Sequence, residues 1–489
     1  MQNTRRNSVK KNFIMNFFIQ GSAYILPFFL TPYISRILMP EGMGKISFCT
    51  SILTYLMLIS MLGIPTYGIR ACSGIVNDRD KLSQTVQEIF LINVVMTVFA
   101  YICLWLLVKF VPSFSASSTL FKWMSIGILL NTLGLDWVYK SYEEYTTLAI
   151  RSFIAKILVI VAVFLFVKKE EDILLYGLLT MFASYGANLI NFINSYKLVD
   201  WKPRKKYEFK KHLHAIFIFF SMTVAITIYT NLDIVMLKLM SNDVQVGLYD
   251  ASIKVKTLLL GVVSSLGAVL LPRVCAYIAE EQYDRFRNLC ERALNVIFLI
   301  TIPLVTYFIL FSQETIYCLS GEAFLDAVPA MRILMLTLIF IGITNITGTQ
   351  MLVPLGNEQW VLYSEIAGAI IDVIINFCLI PRYGIVGAAI GTLVAEIAVF
   401  AVQIYACREY ALSILKGIKY YKPLCATFIS TALVLGIHLL KINILLKLLI
   451  SFSCFFICYA LLLILFKEEE TVSLIKNALN LLKRGKPNE

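Results

Sequence analysis

The sequence predicts an all-α integral membrane protein of about 14 transmembrane helices, arranged as two pseudo-twofold six-helix lobes plus two C-terminal helices. Three observations predict it. Of 489 residues, 59% are apolar and only 15% are charged, and the mean hydropathy is +0.78, where a soluble chain carries about 45–50% apolar and 25% charged residues. Apolar runs of bilayer-crossing length, about 20 residues each, recur along the whole chain with connections too short to form an independent domain. Two stretches at equivalent places in the halves also share one residue pattern. A water-soluble enzyme, a secreted scaffold and a nucleic-acid-binding domain are excluded as readings of the whole chain, because their surfaces could not hide this much apolar area.

The elements follow in order. A basic N-terminus precedes the first span, 13–37. That run is too long for a signal-peptide core of about 7–15 residues, so it reads as a retained helix. Spans at 46–67, 87–110, 119–139, 150–167 and 173–196 complete an N-terminal lobe over 1–200. A basic cytoplasmic linker, 201–213, lies within KLVDWKPRKKYEFKKHLH, a composition that also suits contact with anionic lipid at the inner leaflet. The second lobe, 214–410, holds spans at 214–237, 247–271, 291–312, 328–352, 361–380 and 387–407. Two additional helices, 422–440 and 444–466, occupy 411–466, and 467–489 reads as a cytoplasmic amphipathic tail. Most of the 43 Lys and Arg fall in the segments on the N-terminal side of the membrane, which places both termini in the cytoplasm. The 11 cysteines show no CxxC pair, and His212, His214 and His438 lie apart from them, so neither a disulfide framework nor a metal site nor a cofactor is expected.

The repeated pattern is RILMPEGMGKISFCTSI (Arg36 to Ile52) against LKLMSNDVQVGLYDASIKV (Leu237 to Val255). Each has a basic residue, an apolar pair, a polar turn and a glycine, Gly44 or Gly247, that opens the next helix. A charged amphipathic stretch follows the second helix of each half, at 77–90 and 280–294, and in the second Tyr283, Phe286, Cys290 and Leu294 recur at helical spacing, which suits a helix lying on the inner membrane face. Two like halves entering from the same side imply a pseudo-twofold along the membrane normal.

An ionisable group inside a span costs about 2.5–3.5 kcal/mol, so each is a functional candidate. Glu365, Asp372 and Asn376 share one face of the eleventh span, and Glu396 lies at similar depth on the twelfth. Together they are a candidate proton or sodium site, with neutral hydrogen-bonded packing as the alternative. The cations Arg36, Arg151, Lys254 and Lys256 would draw an anionic head group such as a diphosphate. Snorkelling offers another account of Arg36 and Arg151, as does an Asp250–Lys254 pair for Lys254.

Several segments resemble the Wzx-type polysaccharide flippases of the multidrug/oligosaccharidyl-lipid/polysaccharide exporter superfamily, over nearly the full length. SRILMPEGMGKISF is similar to the family's first outer turn, with Met39 where the family usually has glycine before Pro40. LDWVYKSYEEYTTLAIRS resembles its Asp-Trp…Glu…Arg stretch and carries over Asp136, Trp137, Glu143 and Arg151. NLDIVMLKLMSNDVQVGLYDASIKV resembles the second-half signature through Asp233, Gly247, Tyr249 and Lys254. LLPRVCAYIAE and LIPRYGIVGAAIGTLVAE complete the match at Pro272, Arg273, Pro381, Gly384 and Gly387. The resemblance implies a monomeric, non-enzymatic transporter of the bacterial cytoplasmic membrane, with two lobes around a central cavity. Its substrate would be an undecaprenyl-diphosphate-linked oligosaccharide, flipped to the outer leaflet, with membrane lipid and the polysaccharide polymerase machinery as neighbours. The rival readings are a drug/cation antiporter of the same superfamily and, less favoured, a membrane polymerase or ligase, whose long outer catalytic loop this chain lacks.

Overall fold

The computed structural model describes residues 9–204, 206–410, 420–438 and 442–473. Among them there is no strand, only helices and short connections. A backbone in hydrocarbon has no water to satisfy its N–H and C=O groups, so each span hydrogen-bonds to itself. Among the described residues, eight helices are long and apolar enough to cross a membrane, or nine if one bent pair counts as a span. The chain divides into two compact units, Met1–Asp250 and Ala251–Glu489.

In the first unit, α1 (Val9–Met61) carries the first two expected spans in one run broken at Met39, where φ is 56 and ψ is 177. α2 (Ile64–Ser73) follows Leu62 and Gly63, with Pro65 in its first turn, where a missing amide costs nothing. α3 (Arg79–Phe110) opens on Asp78, whose carboxylate accepts from the Lys81 amide. That bond, and the Lys81 side chain, hold the Asp78 carboxyl below its usual range. The expected fourth span is not one helix. After the short α4 (Pro112–Ser115), it is split into α5 (Ser118–Met124), α6 (Ile126–Thr132) and α7 (Asp136–Ser141), with Leu135 left-handed at φ 44 before the last. α8 (Tyr145–Phe166) turns Ile150, Ile154, Leu158, Val161 and Leu165 outward, a three-to-four spacing that suits lipid contact. α9 (Ile173–Tyr185) and α10 (Ala187–Ser195) meet at Gly186, where the sixth expected span bends by 43°. α11 (Lys210–Met240) and the first turns of α12 (Asp243–Ala279) complete the unit.

The stretch at 77–90 is no separate helix on the membrane face. From Arg79 on it forms the first turns of α3, because Leu82, Val86 and Ile89 bury their side chains against Ile64, Trp137, Val138 and Ile216. Its apolar stripe is covered by protein.

The two repeated turns meet inside this unit. A Cβ placed on Gly44 would stand 1.8 Å from the Asp243 carbonyl oxygen, and one on Gly247 would stand 1.9 Å from that of Pro40. Only hydrogen fits where these backbones cross, which is the physical reason both copies of the pattern need glycine.

In the second unit, α13 (Tyr283–Leu310) absorbs the other amphipathic stretch, with Phe286, Cys290 and Leu294 buried against Ile346, Met351 and Cys407. α14 (Ser312–Ser320) and α15 (Val328–Thr344) follow, and α15 runs into a π-helical stretch, Asn345–Leu352. Next come α16 (Glu358–Tyr383), α17 (Ile385–Ala406), α18 (Tyr421–His438) and α19 (Ile444–Leu465). The buried Tyr307 on α13 anchors α19: its hydroxyl lies 2.9 Å from Ser451 Oγ and its ring packs on Phe311 and Phe455. Beyond 473 the expected tail helix lies outside the described residues. Before that point, the Arg292 guanidinium donates to both Glu470 oxygens at 2.9 and 3.0 Å.

Candidate functional site

The first unit gathers the Asp-Trp…Arg residues through one side chain that the sequence did not single out. Asn191 on α10 donates through Nδ2 to Asp136 Oδ1 at 3.0 Å and accepts from Arg151 Nη1 at 2.8 Å. Tyr139 donates its hydroxyl to the Asn191 carbonyl at 2.6 Å, and the Arg151 guanidinium stands 5.3 Å from the Tyr139 ring centroid. Asn191 and Tyr139 are buried, so this amide relay fixes the cation from beneath. Trp137 packs against the face of Gly68, where any side chain would strike its indole at 2.4 Å. A signal for Asn191 exists in the sequence: Asn188, Asn191 and Ser195 recur at helical spacing in an otherwise apolar span.

The other residues proposed from the sequence fall elsewhere. Arg36 is exposed, and its Nη1 donates to the Pro32 carbonyl one turn back. Glu143 is exposed in the turn between α7 and α8, at φ 60. Asp233 is buried on α11 and accepts the Tyr249 hydroxyl at 2.5 Å, which joins two residues of the second-half signature. Lys254 and Lys256 are half-buried on α12, on either side of the buried Val255.

The second unit holds the acidic set. Asp372 and Asn376 are 1% and 0% exposed and lie on the buried stripe of α16 with Ser364 and Gly368, whereas Glu365 is half-buried. Across from them on α17 is Gly391, where a Cβ would sit 2.2 Å from Asn376 Oδ1 and 3.0 Å from Asp372 Oδ1. The missing side chain lets a carboxylate and an amide oxygen gather against a helix backbone. Beside it the Thr392 hydroxyl donates to the Ala388 carbonyl at 3.1 Å, and Glu396 is buried one turn further on. A second buried chain ties the same helices together: Thr347 donates to Gln403 Oε1 at 2.6 Å, and Gln403 Nε2 donates to Ser364 Oγ at 3.1 Å. Oxygen donors of this kind suit a proton or a hard cation rather than a soft metal. Among the described residues, no group of three or more His, Cys, Asp or Glu could hold a metal ion.

Helices long and apolar enough to cross a membrane, with charged and amide side chains buried in each unit, mark a multi-pass membrane protein. A family model described as "Polysaccharide biosynthesis protein" matches residues 9–278, and one described as MatE matches 218–378. The chain belongs to the polysaccharide biosynthesis protein family, which bears out the resemblance read from its motifs. It is 22% identical over 416 residues to the Escherichia coli K12 protein named "Putative O-antigen transporter", covering 83% of this chain and 98% of that protein. A Shigella dysenteriae protein of the same name is 24% identical, with 80% and 98% covered. In fold the chain is similar to the lipid II flippase MurJ in an inward closed conformation, with a TM-score of 0.67, 16% identity, and 92% and 98% of the two chains covered. It is also similar to an inward-facing multidrug resistance MATE family transporter, with a TM-score of 0.62, 13% identity, and 81% and 96% covered.

Proposed function

We propose that this protein carries a polyprenyl-diphosphate-linked oligosaccharide from the inner to the outer leaflet of a bacterial cytoplasmic membrane, by alternating access and without making or breaking a bond. Family membership and two full-length relatives named as O-antigen transporters support the class. The observation that carries the reading is the Asp136–Asn191–Arg151 relay, in which a buried amide holds a half-buried guanidinium in one place on the helix bundle. A sugar head group cannot cross hydrocarbon unaided, while a polyprenyl tail can stay in lipid. A fixed guanidinium offers the diphosphate two parallel hydrogen bonds, and lysines offer point charge. In this reading Arg36, Arg151, Lys254 and Lys256 serve the head group, and Asp136, Glu143 and Asp233 position the helices around it.

The arrangement is fourteen spans in two six-helix lobes, 1–200 and 214–410, joined by the linker 201–213 and followed by two helices over 411–466. Both termini are cytoplasmic, and the protein works as a monomer that passes its product to a polymerase. The crossing of the repeated turns at Gly44 and Gly247 supports halves related by a twofold. Asp372, Asn376 and Glu396, with Glu365 nearby, couple the cycle to a proton or sodium ion. The test is reconstitution in vesicles with a fluorescent lipid-linked oligosaccharide, followed by quenching from outside. Time-dependent equilibration between leaflets supports the proposal. Export of cationic dyes with no lipid movement would replace it with the antiporter reading, which the MatE match at 218–378 keeps in view.

A further inference from the structure

The basic linker between the sixth and seventh expected spans is built onto the helix bundle. Gln87 donates to the carbonyls of Asp200 and Lys202 at 2.6 and 3.0 Å, and the Ser83 hydroxyl accepts the Asp200 amide at 2.9 Å. Glu88, fully buried, accepts from the Glu208 amide at 2.8 Å and from Lys211 Nζ at 2.9 Å, and it lies 2.8 Å from His212 Nε2. The other nitrogen of that imidazole, Nδ1, is 2.6 Å from the Tyr67 hydroxyl. Arg204 pairs with Asp80 at 3.1 Å. The linker is therefore sewn to the start of α3, and its exposed cations Lys202, Lys206 and Lys210 take no part in these ion pairs.

Immediately along α3 from this cluster lies an apolar groove of about 250 Å³, lined by Leu91, Ile92, Val95, Met96, Phe209 and Leu213. Val95 is 66% exposed, and Leu91, Phe209 and Leu213 are more than a third exposed. The groove runs along the seam where α3 meets the start of α11, and Phe209 and Lys210 are chain neighbours at its edge. Apolar lining with Lys210 next to Phe209 at its edge, and with Lys206 held by Gln84 two turns back along α3, is complementary to one kind of molecule, an acyl chain that bears a negative head group. The groove of Trp105 and Phe121 has Lys122 in its lining and Lys109 over the Trp105 ring at 4.7 Å, but among the described residues no hydrogen-bonded linker rich in lysine is fastened beside it.

We propose that this groove is a binding site for one anionic phospholipid of the inner leaflet, with its acyl chain between α3 and α11 and its phosphate at Lys206 and Lys210. The lipid so placed bridges the seam that the Glu88 cluster closes. The inference depends on the membrane setting and on the cytoplasmic placement of the linker. It does not depend on what the protein transports.

The test uses the full-length protein in phosphatidylcholine nanodiscs, doped with phosphatidylglycerol or phosphatidylcholine that carries a photoreactive diazirine in one acyl chain. Labelled peptides are mapped by mass spectrometry. Phosphatidylglycerol is expected to label 91–96 and 209–213 well above phosphatidylcholine. Lys206→Gln and Lys210→Gln, both exposed substitutions, should lower that labelling about fivefold per lysine, while Lys206→Arg with Lys210→Arg restores it. Val95→Trp, which fills the groove, should remove labelling at both segments. Equal labelling by the two lipids, or wild-type labelling in the double glutamine variant, overturns the proposal and leaves an unselective boundary lipid. Vesicle flipping assays stay separate, so a failed transport reading and a failed lipid site are told apart.

Discussion

The two buried polar sites solve the same problem, charge within a helix bundle, by different means. In the first unit Asn191 receives a hydrogen bond from Arg151 and gives one to Asp136, so cation and acid are both anchored through a neutral amide. In the second unit Asp372 and Asn376 gather their oxygens against the bare backbone at Gly391. Under the proposed function, the first arrangement presents a positive group to an anion and the second gathers oxygen for a small cation. The contrast is one of construction: the first unit uses an amide relay, the second an absent side chain, while the cations proposed for the head group are divided between them, Arg36 and Arg151 on the first and Lys254 and Lys256 on the second.

Gly391→Ala is the harshest way to break this contrast. Its methyl group would fall 2.2 Å from Asn376 Oδ1, so both oxygens must move. Overpacking of this kind costs about 1–3 kcal/mol. Flipping in vesicles should fall by roughly five- to 150-fold, the rate equivalent of that range when it falls on the transport step, while binding of lipid-linked substrate is retained. Wild-type flipping would remove the acidic set from the mechanism.

Next in size are Asp372→Asn and Arg151→Gln, which should separate cleanly. The first should abolish the response of flipping to an imposed proton or sodium gradient with substrate affinity intact. The second should weaken half-saturation by the lipid-linked substrate by roughly ten- to hundredfold, the worth of a hydrogen bond to a charged group. Its gradient response should persist, and loss of both properties in either variant would merge the two sites into one.

Asn191→Leu tests the relay itself. It leaves a guanidinium and a carboxylate in place without the amide that joins them, at about 1–3 kcal/mol of stability. The thermal midpoint in detergent should fall, and more steeply than for Asn194→Leu one turn along, where the amide donates only to the Ile190 carbonyl of its own helix. Smallest is Met39→Gly. Met39 occupies a backbone region, φ 56 and ψ 177, that glycine alone adopts without strain, and relief is worth about 1 kcal/mol or somewhat more. Ser241, at the matching break in the second copy, has φ −141, so Ser241→Gly should bring no such gain.

Much of this was legible in the residues. Composition alone forces helices in a membrane, and the order of motifs pointed to the family before any coordinates. Gly44 and Gly247 were marked by repetition, and their contact explains it. Asn191 was harder to see because a neutral amide carries no charge signal, and its partners are 40 and 55 positions away. Glu88 was hidden for a related reason: it sits in a charged stretch, while the carboxylate turns inward to groups 120 and 124 residues on. The same stretch misled the reading of helices lying on the membrane, since periodicity reveals an apolar stripe but not what covers it. Met39 looked harmless by residue type, and only its backbone angle reveals the cost of replacing glycine there.

For the proposed alternating access, the crossing at Gly44 and Gly247 carries a kinetic consequence. Where two elements are held by interlocked side chains, parting them means finding new rotamers, and rejoining them means finding the old ones again. Here main chain rests on main chain, so the faces can part and reseat without any search among torsions. A joint of that kind can cycle rapidly and still close to the same register each time, and a single methyl group on either face would jam it.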